Sequence, residues 1–599
     1  LLGVIFIAFT NLFKVSAPVI VQQSIDFLEP TIQAVDSAEL DFPELPPAIE
    51  LSNDIGITEF EPIKKPVEPQ TAKDYAIKIS LTLALIFFTI YIIQGLFLFL
   101  TRVTIIIMSR RIEFDLKNEI YKHYQKLSLA FYKRNSTGDL MNRISEDVSK
   151  VRMYLGPAVM YTLNLVFLIG FILYEMFQIN AKLTLYSLMP LPFLSISIYY
   201  VSSIIHKKSE KVQKQQSDLS GFVQESISGI RVLKAYNRVG AFSNFFKSKS
   251  DNYKKLALDL VKVEALFLPL IVLLVGLSTV LAIYLGALEV LKNNGFSTGD
   301  IFQFIIYVNM LTWPFASVGW VTSLINKAEA SQKRINEFLT SPPEIVNSNQ
   351  TPQTFNGKIE FKDVSFTYPD TGIEALKNIN FTLKPGETLG ITGKTGSGKS
   401  TLAALISRLY DTTSGDVLID GDSIKSINLE SYRNSLGIVP QDVFLFSDSI
   451  RNNISFGADN MSDEQIFSAA KSADIHENIL GFKDQYNTLL GERGINLSGG
   501  QKQRISIARA IIKNPQILIF DDCLSAVDTQ TEEKILSELK TIMSEKTSII
   551  IGHRVSSIMH ADKLLVLENG QISETGTHQE LINKGGYYAS LYEKQLTEN

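Results

Sequence analysis

"ETLGITGKTGSGKSTLAALISRLY", residues 387–410, decides the fold of the C-terminal part of this 599-residue chain. A short apolar run leads into Gly393, Lys394, Thr395, Gly396, Ser397, Gly398, Lys399 and Ser400, and Thr401 follows at the start of an amphipathic helix. This is G-x-x-x-x-G-K-S between a strand and a helix. The glycines let backbone N–H groups turn inward around phosphates. Lys399 neutralises the outer phosphates, Ser400 offers a hydroxyl to magnesium, and the helix N-terminus adds its positive end. The motif requires a strand–loop–helix unit, the building block of an α/β domain.

Downstream, "ILIFDDCLSAVD" (517–528) is a second apolar strand, ending in Asp521 and Asp522. Asp521 fits a carboxylate that holds magnesium through water. A catalytic carboxylate would fit at Asp522, but an aspartate reaches less far than a glutamate. Gln441, in "GIVPQDVFLFSDSI", follows another short strand and reads as a sensor of the magnesium ion and the attacking water. His553, in "SIIIGHRVSSI", ends a further strand and is placed to reach a γ-phosphate. Tyr368, in "FTYP", lies 25 residues before Gly393 and is a candidate to stack on adenine. The preceding "GKIEFKDVSFTYP" alternates like a strand pair.

"NLSGGQKQRISIARAI" places Ser498, Gly499, Gly500 and Gln501 immediately before a helix, which is another anion-binding turn. A domain that already has a phosphate loop has use for this turn only if it serves another domain's nucleotide. The reading is two domains sandwiching two ATP molecules head to tail.

The N-terminal part differs. Apolar runs near 1–25, 76–100, 155–177, 181–205, 262–288 and 300–324 are long enough to cross a bilayer as helices. Residues 26–74 carry twelve acids, three lysines and seven prolines, and read as a mobile insertion on the outer side. Residues 101–154 hold eleven Lys and Arg against six acids, and 203–255 hold eleven against four. Both are expected on the cytoplasmic side as helical extensions of the crossings, the first broken near "KRNSTGD". The net charge of −5 argues against a nucleic-acid partner, and the single cysteine, Cys523, excludes an intrachain disulfide. Polar residues within the runs include Gln94, Asn164, Glu175, Glu264 and Trp313. An ionisable group at such a position often marks function, but Glu175 and Glu264 lie near the ends of their helices, where an interfacial position is the stronger expectation.

Taken in order, Tyr368, "GKTGSGKS", Gln441, "GERG" (491–494), "LSGGQ", "IFDD", "SAVD" and His553 resemble the motif set of an ABC exporter half-transporter. The resemblance implies a bundle of six transmembrane helices over 1–325, a linker over 326–354, and an α/β P-loop nucleotide-binding domain over 355–599. It implies a multi-pass protein of the cell membrane, a bacterial inner membrane, with the nucleotide-binding domain in the cytoplasm. The cofactors implied are ATP and Mg2+. By the same resemblance Ser525–Asp528 is a coupling loop across the dimer, Glu492–Gly494 a cross-talk loop, and "NSTGDLMNR" and "SDLSGFVQES" the two coupling regions.

The function implied is ATP-driven export of an amphipathic or lipophilic substrate, with a small molecule, lipid or peptide all open as cargo. The other readings are an ATP-gated channel or regulator with weak hydrolysis, and a peptide exporter. In this family the position of Asp522 is usually glutamate. Heterodimeric exporters often carry aspartate there in one subunit, so the partner is expected to be a different half-transporter, with an identical chain as the alternative.

Overall fold

The computed structural model describes residues 1–37, 44–62, 69–292, 295–458, 460–523 and 529–598. The chain divides into two compact units, Leu1–Tyr121 with Met141–Thr340, and Lys122–Leu140 with Ser341–Asn599.

The first unit is helical. Spans Leu2–Ile32, Lys73–Lys126, Thr137–Ile179, Val239–Leu291 and Thr298–Leu339 are each long and apolar enough to cross a membrane. The fourth run, 181–205, is divided between helices Ala181–Leu188 and Pro190–Ser228. Proline at a first helical position supplies no N–H to bond backwards, so a new helix starts there. In helix Pro69–Lys126 the pattern of a soluble helix is inverted. Leu81, Leu85, Phe88, Ile92, Leu96 and Phe99 recur at three- and four-residue spacing and are all exposed. An apolar stripe of this length on the outer face fits burial in lipid or against a partner's helices.

Inside the unit, Leu168, Ile172 and Met176 meet Ile271, Val275, Phe304, Val308 and Leu311 in one buried cluster. Small residues permit the close approach: a Cβ on Gly286 would lie 3.0 Å from Ile301. The helix Thr298–Leu339 is tied at both ends. Near its start, Asp26 accepts hydrogen bonds from the Ser297 hydroxyl (2.7 Å) and the Gly299 N–H (2.8 Å). Near its end, the buried carboxylate of Asp147 accepts from Ser331 (2.9 Å) and from the Arg334 guanidinium (3.0 Å). Buried Ala328, Ser331, Ile335 and Phe338 keep a helical period. Residues 326–339, expected in the linker, are therefore helix.

The acidic insertion is more ordered than its composition implies. Pro47–Asp54 is a helix, with Pro at its first position, and Ile49 is fully buried with Ile20, Phe27, Ile79 and Leu83. The Gln23 side chain accepts from the Ala48 N–H at 3.0 Å, and Asn53 bonds Phe60 in both directions. The insertion's described part thus caps the ends of two long helices. Residues 38–43 and 63–68 lie outside the described residues.

The second unit has a six-stranded sheet ordered Gln571–Gly576, Lys563–Glu568, Thr388–Gly393, Thr547–Ile551, Ile517–Asp521, Leu436–Val439. The inner strands are parallel. They read as unbroken apolar runs because both faces are covered. Ile517 and Ile519 enter one core with Ile391, Leu402 and Ile551, whereas Leu518 and Phe520 enter another with Ile505, Ile535 and Leu539. A four-stranded antiparallel sheet adds Ile359–Thr367, paired to Glu374–Leu383 and Ser414–Ile419. "KIEFKDVSFTYP" is thus one strand with irregular register, not a strand pair.

The buried contact of Ile49 yields a test. Ile49→Asp should release helix Pro47–Asp54 and speed cleavage within 44–62 in limited proteolysis by about tenfold or more. ATPase activity should be unchanged, since the ATP-binding unit is not involved.

Candidate functional site

Strand register brings the predicted site together. Phe520 is level with Val439 on one side and Ile550 on the other, and Ile550 is level with Gly390. Two residues further along the same three neighbouring strands come Asp522, Gln441 and Gly552. His553 and Gly393 follow by one more. All four sequence-predicted groups leave the carboxyl ends of neighbouring parallel strands, where open α/β sheets bind ligands.

The phosphate loop itself is fixed by backbone geometry. Gly393 has φ +145° and a Cβ there would fall 2.1 Å from the Leu567 carbonyl oxygen. Gly398 has φ +102° and a Cβ there would meet the Ala375 carbonyl at 2.6 Å. Neither position admits a side chain. Lys399 opens helix Lys399–Ile406 and is buried. Its ammonium donates to the carbonyls of Gly393 (2.8 Å) and Lys394 (3.0 Å), so the lysine is curled over the loop. Burial pushes its pKa down, opposed by the charges of Asp521 and Asp522. Lys394 instead points away, pairing with Glu568 at 2.7 Å.

Asp521 is buried, and burial pushes its carboxyl up, against a hydrogen bond from Ser400. Among the described residues its Oδ1 has no partner, nor does the buried Ser397 hydroxyl. Orphaned polar atoms are rare in folded interiors and mark an expected ligand. A carboxylate oxygen beside a serine hydroxyl is the hard-oxygen donor set that suits magnesium. The residues present fit nucleotide phosphates and that ion.

Asp522 is half-buried at φ +47°, with its N–H bonded to the Ile551 carbonyl at 2.9 Å. A short polar residue enters this left-handed region more readily than most side chains. Gln441 and His553 are exposed beyond their strands. Tyr368 is half-buried, its hydroxyl 2.9 Å from that of Thr401 and its ring 4.7 Å from the Lys133 ammonium. Thr401, expected at the nucleotide, is buried and has its hydroxyl engaged with Tyr368.

The turn Ser498–Gln501 starts helix Gly499–Ile511 with a reciprocal cap. Ser498 accepts from the Gln501 N–H (3.3 Å) and Gln501 accepts from the Ser498 N–H (3.0 Å). The Gln501 side-chain oxygen is committed to this cap, which leaves the glycine N–H groups and the Ser498 hydroxyl as the outward-facing part. Glu492–Gly494 is a 3-10 turn with Arg493 at φ +52°. Ser525–Asp528 lies outside the described residues.

Three residues that hold this site, Gln595, Glu532 and Lys133, escaped the sequence reading. Gln595, in the last helix, donates to the His553 carbonyl (2.9 Å) and accepts from the Val555 N–H (2.7 Å). Glu532 is 2% exposed and accepts from Ser556 (3.1 Å), Ser557 (2.7 Å) and Arg554. Gln595 holds the backbone at His553 and Val555, and Glu532 holds the side chains of Arg554, Ser556 and Ser557 that follow. Glu532 had a visible signal, since it stands on the stripe with Ile535, Leu539 and Met543, where a carboxylate is out of place without partners. Gln595 and Lys133 had none, because their partners are distant in sequence.

Comparison with known proteins follows the same outline. Residues 1–315 match the family model of the ABC transporter transmembrane region, and 376–525 match the ABC transporter family model. The chain belongs to the ABC transporters. It is 37% identical over 487 residues to the uncharacterized ABC transporter ATP-binding protein YknU of Bacillus subtilis, covering 81% of this chain and 83% of that one. It is 35% identical over 518 residues to the multidrug resistance-like ATP-binding protein MdlA of Escherichia coli (86% and 87%). Against the ATP-dependent lipid A-core flippase of Syntrophus aciditrophicus it is 33% identical over 512 residues (85% of each). A solved bacterial Atm1-family ABC exporter with ATP bound superposes with a TM-score of 0.73 at 25% identity, covering 99% of this chain and 98% of that one. The transporter is thus a half-transporter, one helical membrane domain fused to one ATP-binding domain, with ATPase activity coupled to transport.

Two substitutions separate binding from catalysis. Lys399→Ala removes the buried cation and should abolish ATP binding in a nucleotide-fluorescence titration. Gln595→Leu frees the His553 backbone without touching the phosphate loop. Its ATPase kcat should fall about tenfold with KM for ATP held within about twofold, and Gln595→Glu should restore only the half of the clamp that accepts from Val555.

Proposed function

We propose that this transporter uses Mg2+-dependent ATP hydrolysis to export an amphipathic or lipophilic molecule across the membrane by alternating access, as one half of an asymmetric pair. The observation that carries it is the strand-end alignment of Gly393, Gln441, Asp522 and His553 around the unpartnered oxygen of Asp521. The exposed apolar stripe of helix Pro69–Lys126 supports lipid on one side of the same chain. The printed names of its relatives include a multidrug resistance-like protein and a lipid A-core flippase, which favour a lipophilic cargo here.

In this reading Lys399 and the N-terminus of helix Lys399–Ile406 hold the outer phosphates. Ser400, Asp521 and Gln441 hold the magnesium ion, which supplies charge stabilisation at the phosphoryl oxygens. Asp522 orients water, His553 contacts the γ-phosphate, and Tyr368 supports adenine. Within the turn Ser498–Gln501, Gly499 and Gly500 face the nucleotide of the partner. ATP that binds between two domains stabilises only their closed arrangement, so binding and hydrolysis can drive the membrane helices between two states.

The asymmetric pairing rests on Asp522 beside an intact "LSGGQ". The chain's own phosphate loop sits in a slow site, while its signature turn completes a competent one in the partner. The shorter side chain withdraws the carboxylate by roughly 1.5 Å, a distance that costs on the order of 100-fold in rate.

Coexpression with a half-transporter that carries glutamate at the position of Asp522, followed by measurement of the complex formed, tests the pairing. The expected product is a one-to-one complex of unlike chains with Mg2+-dependent ATPase. A stable, transport-competent dimer of this chain alone would rule the asymmetric reading out. In the chain's own site, Asp522→Glu should raise kcat on the order of 100-fold and lower the melting temperature by a few degrees, since glutamate suits φ +47° less well.

A further inference from the structure

Apart from its nucleotide site, the ATP-binding unit carries a cavity of about 650 Å³. This falls in the range of small-molecule sites, roughly 300–1,000 Å³. Its wall comes from residues within 125–129 and 343–350 and from Leu409, Leu429 and Arg433. All of them belong to the same compact unit. Leu129, Val346 and Leu409 are exposed there, and Leu429 is buried. Apolar side chains gathered at one concave surface mark a place that a ligand covers.

The charge of this wall is one-sided. It includes Lys126 and Arg433 and no carboxylate, and among the described residues neither cation has an acidic partner. Arg433 donates to the Arg408 carbonyl (2.8 Å), and the Lys513 ammonium donates to the Arg433 carbonyl (2.5 Å). Burial and the nearby Arg408 guanidinium both push the Arg433 pKa down. Arg408 is itself buried, and among the described residues its Nη1 has no partner. The acids in the neighbourhood are committed elsewhere. Glu344 accepts from Ser128 and pairs with Arg134, and Asp411 pairs with Arg408 at 3.0 Å. Leu429 and Arg433 stand one turn apart on helix Leu429–Asn434, from whose shared face Glu430 is rotated by about 100°. A surplus of positive charge beside an apolar wall is complementary to an anion with an apolar body.

We propose that this cavity is an effector site for a soluble amphipathic anion. Its phosphate or carboxylate head meets Lys126 and Arg433, and its alkyl body lies on Leu129, Val346 and Leu409. The position of the wall gives the ligand a hold on hydrolysis. The Leu409 N–H is bonded to the Ala404 carbonyl (2.9 Å) in helix Lys399–Ile406, which holds the phosphates. Leu129 opens helix Leu129–Arg134, which carries Lys133 over the Tyr368 ring. A bound anion therefore braces these two helices in one arrangement, and a ligand that favours one arrangement slows a cycle that needs two. The inference is independent of the cargo that is exported.

The probe is hexyl phosphate, with inorganic phosphate and 1-hexanol as its separate halves. Binding is measured by equilibrium dialysis on the full chain in lipid nanodiscs. Saturating Mg2+ and a non-hydrolysable ATP analogue keep the probe off the phosphate loop, and empty nanodiscs correct for uptake by lipid. Hexyl phosphate should bind saturably, and each half at least about tenfold more weakly. Lys126→Gln should weaken hexyl phosphate by at least about fivefold and Lys126→Arg by less than about twofold. Leu409→Ser should weaken it by at least about fivefold. In ATPase assays hexyl phosphate should lower kcat by at least about twofold in the unaltered protein. It should leave Lys126→Gln at its basal rate, which should equal that of the unaltered protein. Binding no greater than to empty nanodiscs overturns the proposal, as does binding that neither Lys126→Gln nor Leu409→Ser weakens. Inhibition that raises KM for ATP and leaves kcat unchanged overturns it too, since the probe would then be acting on the phosphate loop.

Discussion

A carboxylate that ends a fully buried strand is the constraint around which the ATP-binding unit is arranged. Every residue of Ile517–Asp521 is buried, and the strand feeds one core through Ile517 and Ile519 and another through Leu518 and Phe520. Asp521 cannot retreat to solvent without breaking both cores. Its stabilisation must come from what surrounds it: the Ser400 hydroxyl, the Lys399 charge and a ligand on the unpartnered oxygen. Lys399 is under the same pressure from the other side, buried and, among the described residues, hydrogen-bonded only to loop carbonyls. Without phosphate, the two groups carry desolvation costs that a bound nucleotide and cation relieve. Site and fold are therefore a single problem, and the sheet is rigid because the site needs it.

The segment Lys122–Leu140 shows how such a rigid unit can transmit a signal. It is contiguous in sequence with the membrane helices but belongs to the ATP-binding unit. Ala130 is buried in that unit's core beside Phe366 and Tyr410. Ser128 donates to Glu344 at 2.6 Å, and Arg134 pairs with the same carboxylate. Lys133 then rests over Tyr368, which is bonded to Thr401 in the phosphate-binding helix. One tyrosine is thus in contact with the segment, the aromatic cluster and the helix that holds phosphates. A ligand that shifts its ring acts on all three. Coupling needs only that the ligand prefer one arrangement, and contiguous packing supplies the path.

Much of this was legible in sequence because the chemistry is local. The phosphate loop needs its glycines within six residues, and "ILIF" followed by acids announces a buried strand with a polar end. The apolar runs announce membrane helices for the same reason. What escaped was set by pairings across long separations. Gln595 reaches a loop 42 residues away, Lys133 a ring 235 positions further on, and neither position carries a local pattern. The insertion misled through composition. Prolines and acids suggested a free loop, but Pro46 and Pro47 start a helix there and buried Leu45 and Ile49 anchor it. The linker misled in the opposite sense, since a polar surface hid the buried period of Ala328, Ser331, Ile335 and Phe338.

The signature turn explains why one chain is an incomplete catalyst in the proposed arrangement. The Gln501 side-chain oxygen closes the cap on Ser498, so the turn is preformed before any nucleotide arrives. Among the described residues no hydrogen bond links it to the phosphate loop of the same chain. A preformed anion-binding turn without an internal anion, and a phosphate loop without a second wall, are complementary halves. In the proposed pairing of unlike chains, Asp522 matters in only one of the two composite sites, the one built on this chain's own loop. The intact turn contributes to the other, whose water is oriented by the partner's residue. A complete turn is useful where it faces a competent site, and a shortened carboxylate is tolerable where the site it serves can be slow. Both conditions hold in one chain when the two composite sites differ, which is why a short carboxylate and a complete signature together favour unlike partners over like ones.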